Sequence, residues 1–139
     1  MKRAAKILIK VNGNYLLDTN IIVAIFRPEP EVVAKAGNAK VVYLPVIVIG
    51  ELYFGALKSQ KNTENTARLE QFMDKTHILD CNKDTAKEFG KIKHLLIKAG
   101  TPIPENDIWI AAIAMQYKLT LVSRDKHFQN VEGLEIIEW

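Results

Sequence analysis

Tyr15-Leu16-Leu17-Asp18-Thr19-Asn20-Ile21-Ile22 is an apolar run of strand length that stops at an acid and passes at once into a helical stretch. The turn-like Asn12-Gly13-Asn14 leads into a strand over residues 15–18, and Asn20 can cap a helix over 21–26 that Arg27-Pro28 interrupts. The same succession recurs downstream. Residues 41–44 are largely β-branched and closed by Pro45, which reads as a second strand. Helices follow over 46–59 and 63–75, the latter carrying the apolar spacing Leu69, Phe72, Met73. Residues 77–81 read as a third strand, and Asn82 caps a long helix ending at Gly100. Pro104, in the first turn, opens a further helix through Tyr117. A fourth strand over 119–123 and a fifth over 134–138 complete the pattern. Such alternation predicts an α/β fold: a mostly parallel central sheet of four to five strands flanked by helices on both faces. A single domain spans 15–139. Residues 1–14 stand outside the alternation as an N-terminal extension, either an extra edge strand or a flexible leader.

Composition narrows the chemistry. The 139 residues suit one domain with a sizeable core. No apolar run reaches the roughly 20 residues that cross a bilayer, so no membrane role is expected. Lys6 and Lys10 break the apolar start, which lacks the core of a signal peptide, and a cytoplasmic location is expected. Cys81 is the only cysteine, which excludes an intrachain disulfide and a zinc site of the CxxC type. His77, His94 and His127 are scattered without metal-ligand spacing, leaving carboxylates as the metal ligands. The net charge of +3 leans only slightly toward an anionic partner.

The placement of four of the 16 acidic residues is the informative feature. Asp18 ends the first strand, and Asp125 follows the fourth. Asp107 lies in the first turn of the helix opened by Pro104, and Glu51 lies one turn into the helix after the second strand. In a parallel sheet, strand C-termini and helix N-termini share the edge where ligands bind. The four carboxylates are therefore expected to converge there. Taken singly, Asp18 has a second reading as a turn residue, Asp107 as a complement to the helix dipole and Asp125 as a loop acid. Glu51 resists that treatment, because Val46-Ile47-Val48-Ile49-Gly50-Glu51-Leu52-Tyr53-Phe54-Gly55-Ala56-Leu57 is apolar around its whole circumference but for the acid. A helix of that kind is expected to be buried, and a buried carboxylate needs a cation. Crowded carboxylates raise one another's pKa, a conflict that a hard divalent ion such as Mg²⁺ resolves while engaging phosphate. Thr19, Asn20 and Ser123 flank the cluster and can orient ligands or water, beside their ordinary work in caps and turns.

Tyr15–Ile22, Gly50–Ala56, Asn106–Ala114 and Leu121–Phe128 together resemble PIN domains, and among these the VapC group of bacterial and archaeal toxin ribonucleases. The likeness covers residues 14–139; each motif is weak alone and the ordered set is specific. The resemblance implies RNA cleavage dependent on Mg²⁺ or Mn²⁺, homodimerisation, and inhibition by a small cognate antitoxin. It assigns metal binding and catalysis to Asp18, Glu51, Asp107 and Asp125. Ser123 stands where Thr is more usual, the fourth acidic position is the family's least regular, and the 14-residue leader is longer than typical.

Lys83, Lys87, Lys91, His94 and Lys98 share one helix face opposite Phe89, Ile92 and Leu96, a solvated stripe that can also meet RNA phosphates. Arg124, Lys126 and His127 flank Asp125 and are better placed for RNA contact near the metal. Three other functions compete: an aspartyl-phosphate phosphotransferase, a catalytically silent RNA or protein adaptor, and a housekeeping PIN nuclease in RNA maturation. The first usually shows a second acid two residues after its nucleophile, where Asn20 stands here; the second predicts lost carboxylates, and all four are present.

Overall fold

Asn14–Leu17 forms β1, the middle strand of the sheet in the computed structural model, which describes residues 13–139. There follow α1 (Thr19–Phe26), α2 (Pro30–Asn38), β2 (Val41–Pro45), α3 (Val46–Lys58), α4 (Asn62–Asp74), β3 (His77–Leu79) and α5 (Lys83–Lys98). The chain closes with α6 (Glu105–Tyr117), β4 (Thr120–Val122), a 3₁₀ turn (Lys126–Asn130) and β5 (Ile136–Ile137). The strands lie in the order β3-β2-β1-β4-β5, and every pairing is parallel. Successive strand residues point to opposite faces. Leu16 and Leu17 on β1, like Leu121 and Val122 on β4, are all fully buried, so helices cover both faces as expected.

The strand order reverses between β1 and β4. From β1 the chain winds outward through β2 to β3, then returns to lay β4 and β5 on the opposite side. A crevice opens at such a reversal, outside the strand C-termini. Asp18 directly follows β1 and Asp125 closely follows β4. Asp18 N–H also donates to the Val122 carbonyl (3.0 Å), which locks the two strand ends together.

Several elements differ from the expected ones. Asn14 already pairs with Val41, so it belongs to the sheet and not to the extension; the extension's residues 1–12 lie outside the described residues. Helix α1 starts at Thr19, and Asp18, not Asn20, is its cap, accepting from Thr19 N–H. Helix α2 has no expected counterpart. Pro30 pre-sets its first residue, but Val32 is its only buried residue, leaving little apolar periodicity to read. Strand β3 stops at Leu79 because its partner β2 ends at Pro45. Helix α3 is not buried all round: Phe54 and Leu57 are 66% and 63% exposed.

Helix α6 does sink into the core, with Ile108 and residues 110–114 buried. Helix α5 packs along it. Asn82 caps α5 in a reciprocal box with Thr85 and accepts from Gln116 near the C-terminus of α6. Lys93 pairs with Glu105 near the other end, so the two helices run antiparallel. Phe89 and Trp109 stack between them with ring centroids 4.1 Å apart, placing Trp109 in the packing. The lysine stripe of α5 faces solvent, with Ile92 and Leu96 buried opposite.

Candidate metal centre

Capping places Asp18. As the N-cap of α1 it turns its carboxylate into the crevice, where Oδ1 accepts from Thr19 N–H (2.8 Å). Its Oδ2 accepts from Ser123 Oγ (2.7 Å) and Asn20 Nδ2 (3.3 Å). The residue is only 6% exposed. Burial pushes its pKa above the ordinary carboxylate range, the Ser123 and Thr19 bonds pull it back, and the Asp125 charge raises it again. Asn20 also accepts from Arg124 N–H (3.2 Å), tying α1 to the loop after β4.

Asp107, in the first turn of α6, is half-buried and has a raised pKa. Burial is the main cause, the His127 bond opposes it, and the charges of Asp125 and Asp18 add to it. Asp125 caps the 3₁₀ turn by accepting from His127 N–H (2.9 Å). That turn brings His127 Nδ1 to 3.1 Å from both Asp107 Oδ2 and Asp125 Oδ1. Ligand atoms of Asp107, Asp125 and His127 all lie within 4.8 Å of one another.

Glu51 completes the set from α3. Its residue surface is exposed, contrary to the expectation of burial, yet loss of water around its carboxylate is still what raises its pKa most. The Asp18 charge comes next, opposed by the nearby Thr19 hydroxyl, and Asp107 contributes last. Thr19 Oγ1 is itself buried and, among the described residues, has no hydrogen-bond partner at bonding distance, so it favours ionised Glu51 only from beyond a proper bond. The four acids thus share one field. Burial raises three of them more than mutual repulsion does, which reverses the weight expected from crowding.

A family model for the PIN domain matches residues 15–134. The chain belongs to the PIN-domain family. Ribonuclease VapC2 of Haemophilus influenzae is 39% identical to it over 128 residues, covering 90% of this chain and 97% of that relative. The solved structure of VapBC2 from Rickettsia felis, bound to a DNA fragment from their promoter, superposes with a TM-score of 0.83 at 30% identity, covering 91% of this chain and 98% of that one. VapBC-5 from Mycobacterium tuberculosis, a member of the VapBC family of toxin–antitoxin systems, gives a TM-score of 0.75 at 26% identity, covering 91% and 99%.

Within this PIN domain the basic residues divide. Arg124, expected beside the metal, gives its guanidinium to Glu29 (2.8 and 3.0 Å) and to the Trp139 carbonyl (3.3 Å), clamping α2 and the C-terminus to the loop. Lys126 is exposed at the rim. His127 turns inward onto two of the acids, a position missed when it was read only as an RNA contact. The available signal was local: an Asp that caps its own turn folds the residue two positions on back over itself.

Ser123 gives the site its first test. Replacing Ser123 by Ala leaves a buried carboxylate without its shortest bond, and bonds to charged groups are worth about 1.5–3 kcal/mol. Urea unfolding of metal-free protein at neutral pH is expected to show a loss of that size. A loss indistinguishable from zero would mean that the Ser123 hydroxyl does not stabilise the Asp18 carboxylate.

Proposed function

We propose that this PIN domain is a divalent-metal-dependent endoribonuclease that hydrolyses RNA phosphodiester bonds and acts as a toxin neutralised by a cognate antitoxin. One observation carries the reading: Asp18, Glu51, Asp107 and Asp125 reach the switch-point crevice from four separate segments and act on one another electrostatically. Loss of water raises the pKa of Asp18, Glu51 and Asp107, and carboxylates in that condition fit a hard cation. The Thr19 hydroxyl fits too, since a buried polar atom with no partner among the described residues suits a bound ion or its water. Asp18, Glu51, Asp107 and Asp125 would hold Mg²⁺ or Mn²⁺. A bound divalent ion activates water and stabilises the charge of an in-line attack on phosphate. Ser123 and Asn20 fix the orientation of Asp18, and Lys126 offers a charge to the RNA backbone at the rim.

The toxin role rests on the family relatives and on a groove of about 340 Å³ that starts at Thr19 and Glu51. Val23, Phe26, Leu52 and Leu69 line it, with Arg27 and Lys58 among the other lining residues. An amphipathic antitoxin segment can lie there and reach a basic side chain toward Glu51. The exposed Phe54 and Leu57 of α3 give a homodimer an apolar surface. Incubating the purified protein with total cellular RNA, with Mg²⁺ or with EDTA, and mapping new 5′ ends tests the chemistry. Discrete new ends with Mg²⁺ and none with EDTA are expected. Mixing with the product of a small neighbouring reading frame should give a complex on size exclusion and stop cleavage. No complex and no inhibition would return the protein to RNA maturation.

A further inference from the structure

His127 lies in a place that four carboxylates alone leave unexplained. Its Nδ1 is 3.1 Å from an oxygen of Asp107 and 3.1 Å from an oxygen of Asp125, so the three groups form one compact donor set of two oxygens and one nitrogen. The ring is half exposed, but the turn carrying it is anchored. Its own N–H is held by Asp125, the next residue Phe128 is fully buried, and Val131 N–H closes onto the Phe128 carbonyl (3.1 Å). Imidazole is the commonest side-chain metal ligand, and a neutral ring can use Nδ1 for it. An all-oxygen site suits Mg²⁺, whereas a nitrogen donor shifts preference toward first-row transition metals.

We propose that His127 is a metal ligand, its Nδ1 joining Asp107 and Asp125 around the ion, so that the site selects a transition divalent such as Mn²⁺ over Mg²⁺. The inference rests on the metal-dependent reading above and adds to it the fifth side chain and the selectivity. The alternative occupation of the same geometry is a hydrogen-bonding ring that only steadies the two acids.

Electron spin-echo measurements on the full chain with Mn²⁺ separate these, because directly coordinated imidazole nitrogen modulates the echo. The parent is expected to show that modulation, altered by ¹⁵N-histidine labelling. It should vanish in His127→Ala and in His127→Gln, which keeps a hydrogen-bonding group without the ring nitrogen. Titration with each metal should show the ratio of Mn²⁺ to Mg²⁺ affinity falling at least about tenfold in both variants, since even partners one shell out cost 10–100-fold. Mn²⁺ bound without nitrogen modulation, or a His127→Gln variant that keeps the parent's selectivity, overturns the inference and leaves the carboxylate centre standing. A parent that binds no Mn²⁺ overturns both.

Discussion

Asp18→Asn is expected to lower RNA cleavage by at least about a hundredfold, the scale on which removing one preorganised electrostatic group acts. The substitution is nearly isosteric. The amide oxygen can still accept from Thr19 N–H, and the Ser123 hydroxyl can rotate to serve whichever group faces it, so α1 keeps its cap. What disappears is the charge, at the most buried of the four positions and beside the junction of β1 and β4. The loss should fall on kcat at saturating RNA and metal, since the charge removed is one that would hold the ion acting on the reacting phosphate and not one that binds the distant chain. In EDTA above neutral pH the variant should unfold no more easily than the parent, because burial makes an ionised Asp18 costly there. That stability readout guards against reading a misfolded variant as a catalytic one. Cleavage close to the parent's rate, after contaminating nucleases are excluded, would remove Asp18 from the mechanism and with it the proposed centre.

The fold was legible where apolar runs and strong punctuation coincide. Pro45, Asn82 and Pro104 mark boundaries at or next to the observed ones, because each acts through local backbone geometry or capping that tertiary packing leaves intact. The convergence of the acids was legible for a topological reason: a parallel sheet has only one edge at which strand ends and helix starts meet. Burial was less so. Helix α3 looks uniformly apolar, yet Phe54 and Leu57 stand exposed, and no periodicity distinguishes a side chain facing the core from one available to another chain. Long-range pairings were invisible as well. Glu29 and Arg124 are 95 positions apart, and nothing local to either announces that the arginine is committed to structure. His127 lay between these cases, within reach of Asp125 by turn geometry but of Asp107 only through the packing of α6 against the 3₁₀ turn.

Asp107→Asn distinguishes a metal ligand from a helix-dipole acid by the sign of its effect on stability. An acid in the first turn of α6 that merely complements the dipole would lose about 0.3–1 kcal/mol on neutralisation and leave cleavage intact. The environment of Asp107 predicts otherwise. Burial first, and then the charges of Asp125 and Asp18, raise its folded pKa despite the bond from His127. Between the unfolded value and the raised folded one, the unfolded chain has released a proton that the folded chain still holds. At such groups the folded metal-free protein therefore binds more protons than the unfolded one, and the stability they contribute is greatest below the unfolded value of about 4. Stability should decline as pH rises from there through the raised folded pKa values of Asp107, Asp18 and Glu51, and level off above them. Asparagine at 107 removes one contributor, so the decline should be shallower and the variant at neutral pH as stable as the parent or more so. Metal reverses the order. An ion that binds only the folded state at a hundred times its Kd adds about 2.7 kcal/mol, and the variant should gain far less of this than the parent while losing cleavage. Thermal melts of both proteins from pH 4 to 8, in EDTA and in saturating Mg²⁺ or Mn²⁺, read all of these effects together. A variant that melts lower in EDTA across the range, gains as much from metal as the parent and still cuts RNA would make Asp107 a helix-dipole acid, and the centre would have to be rebuilt around Asp18, Glu51 and Asp125.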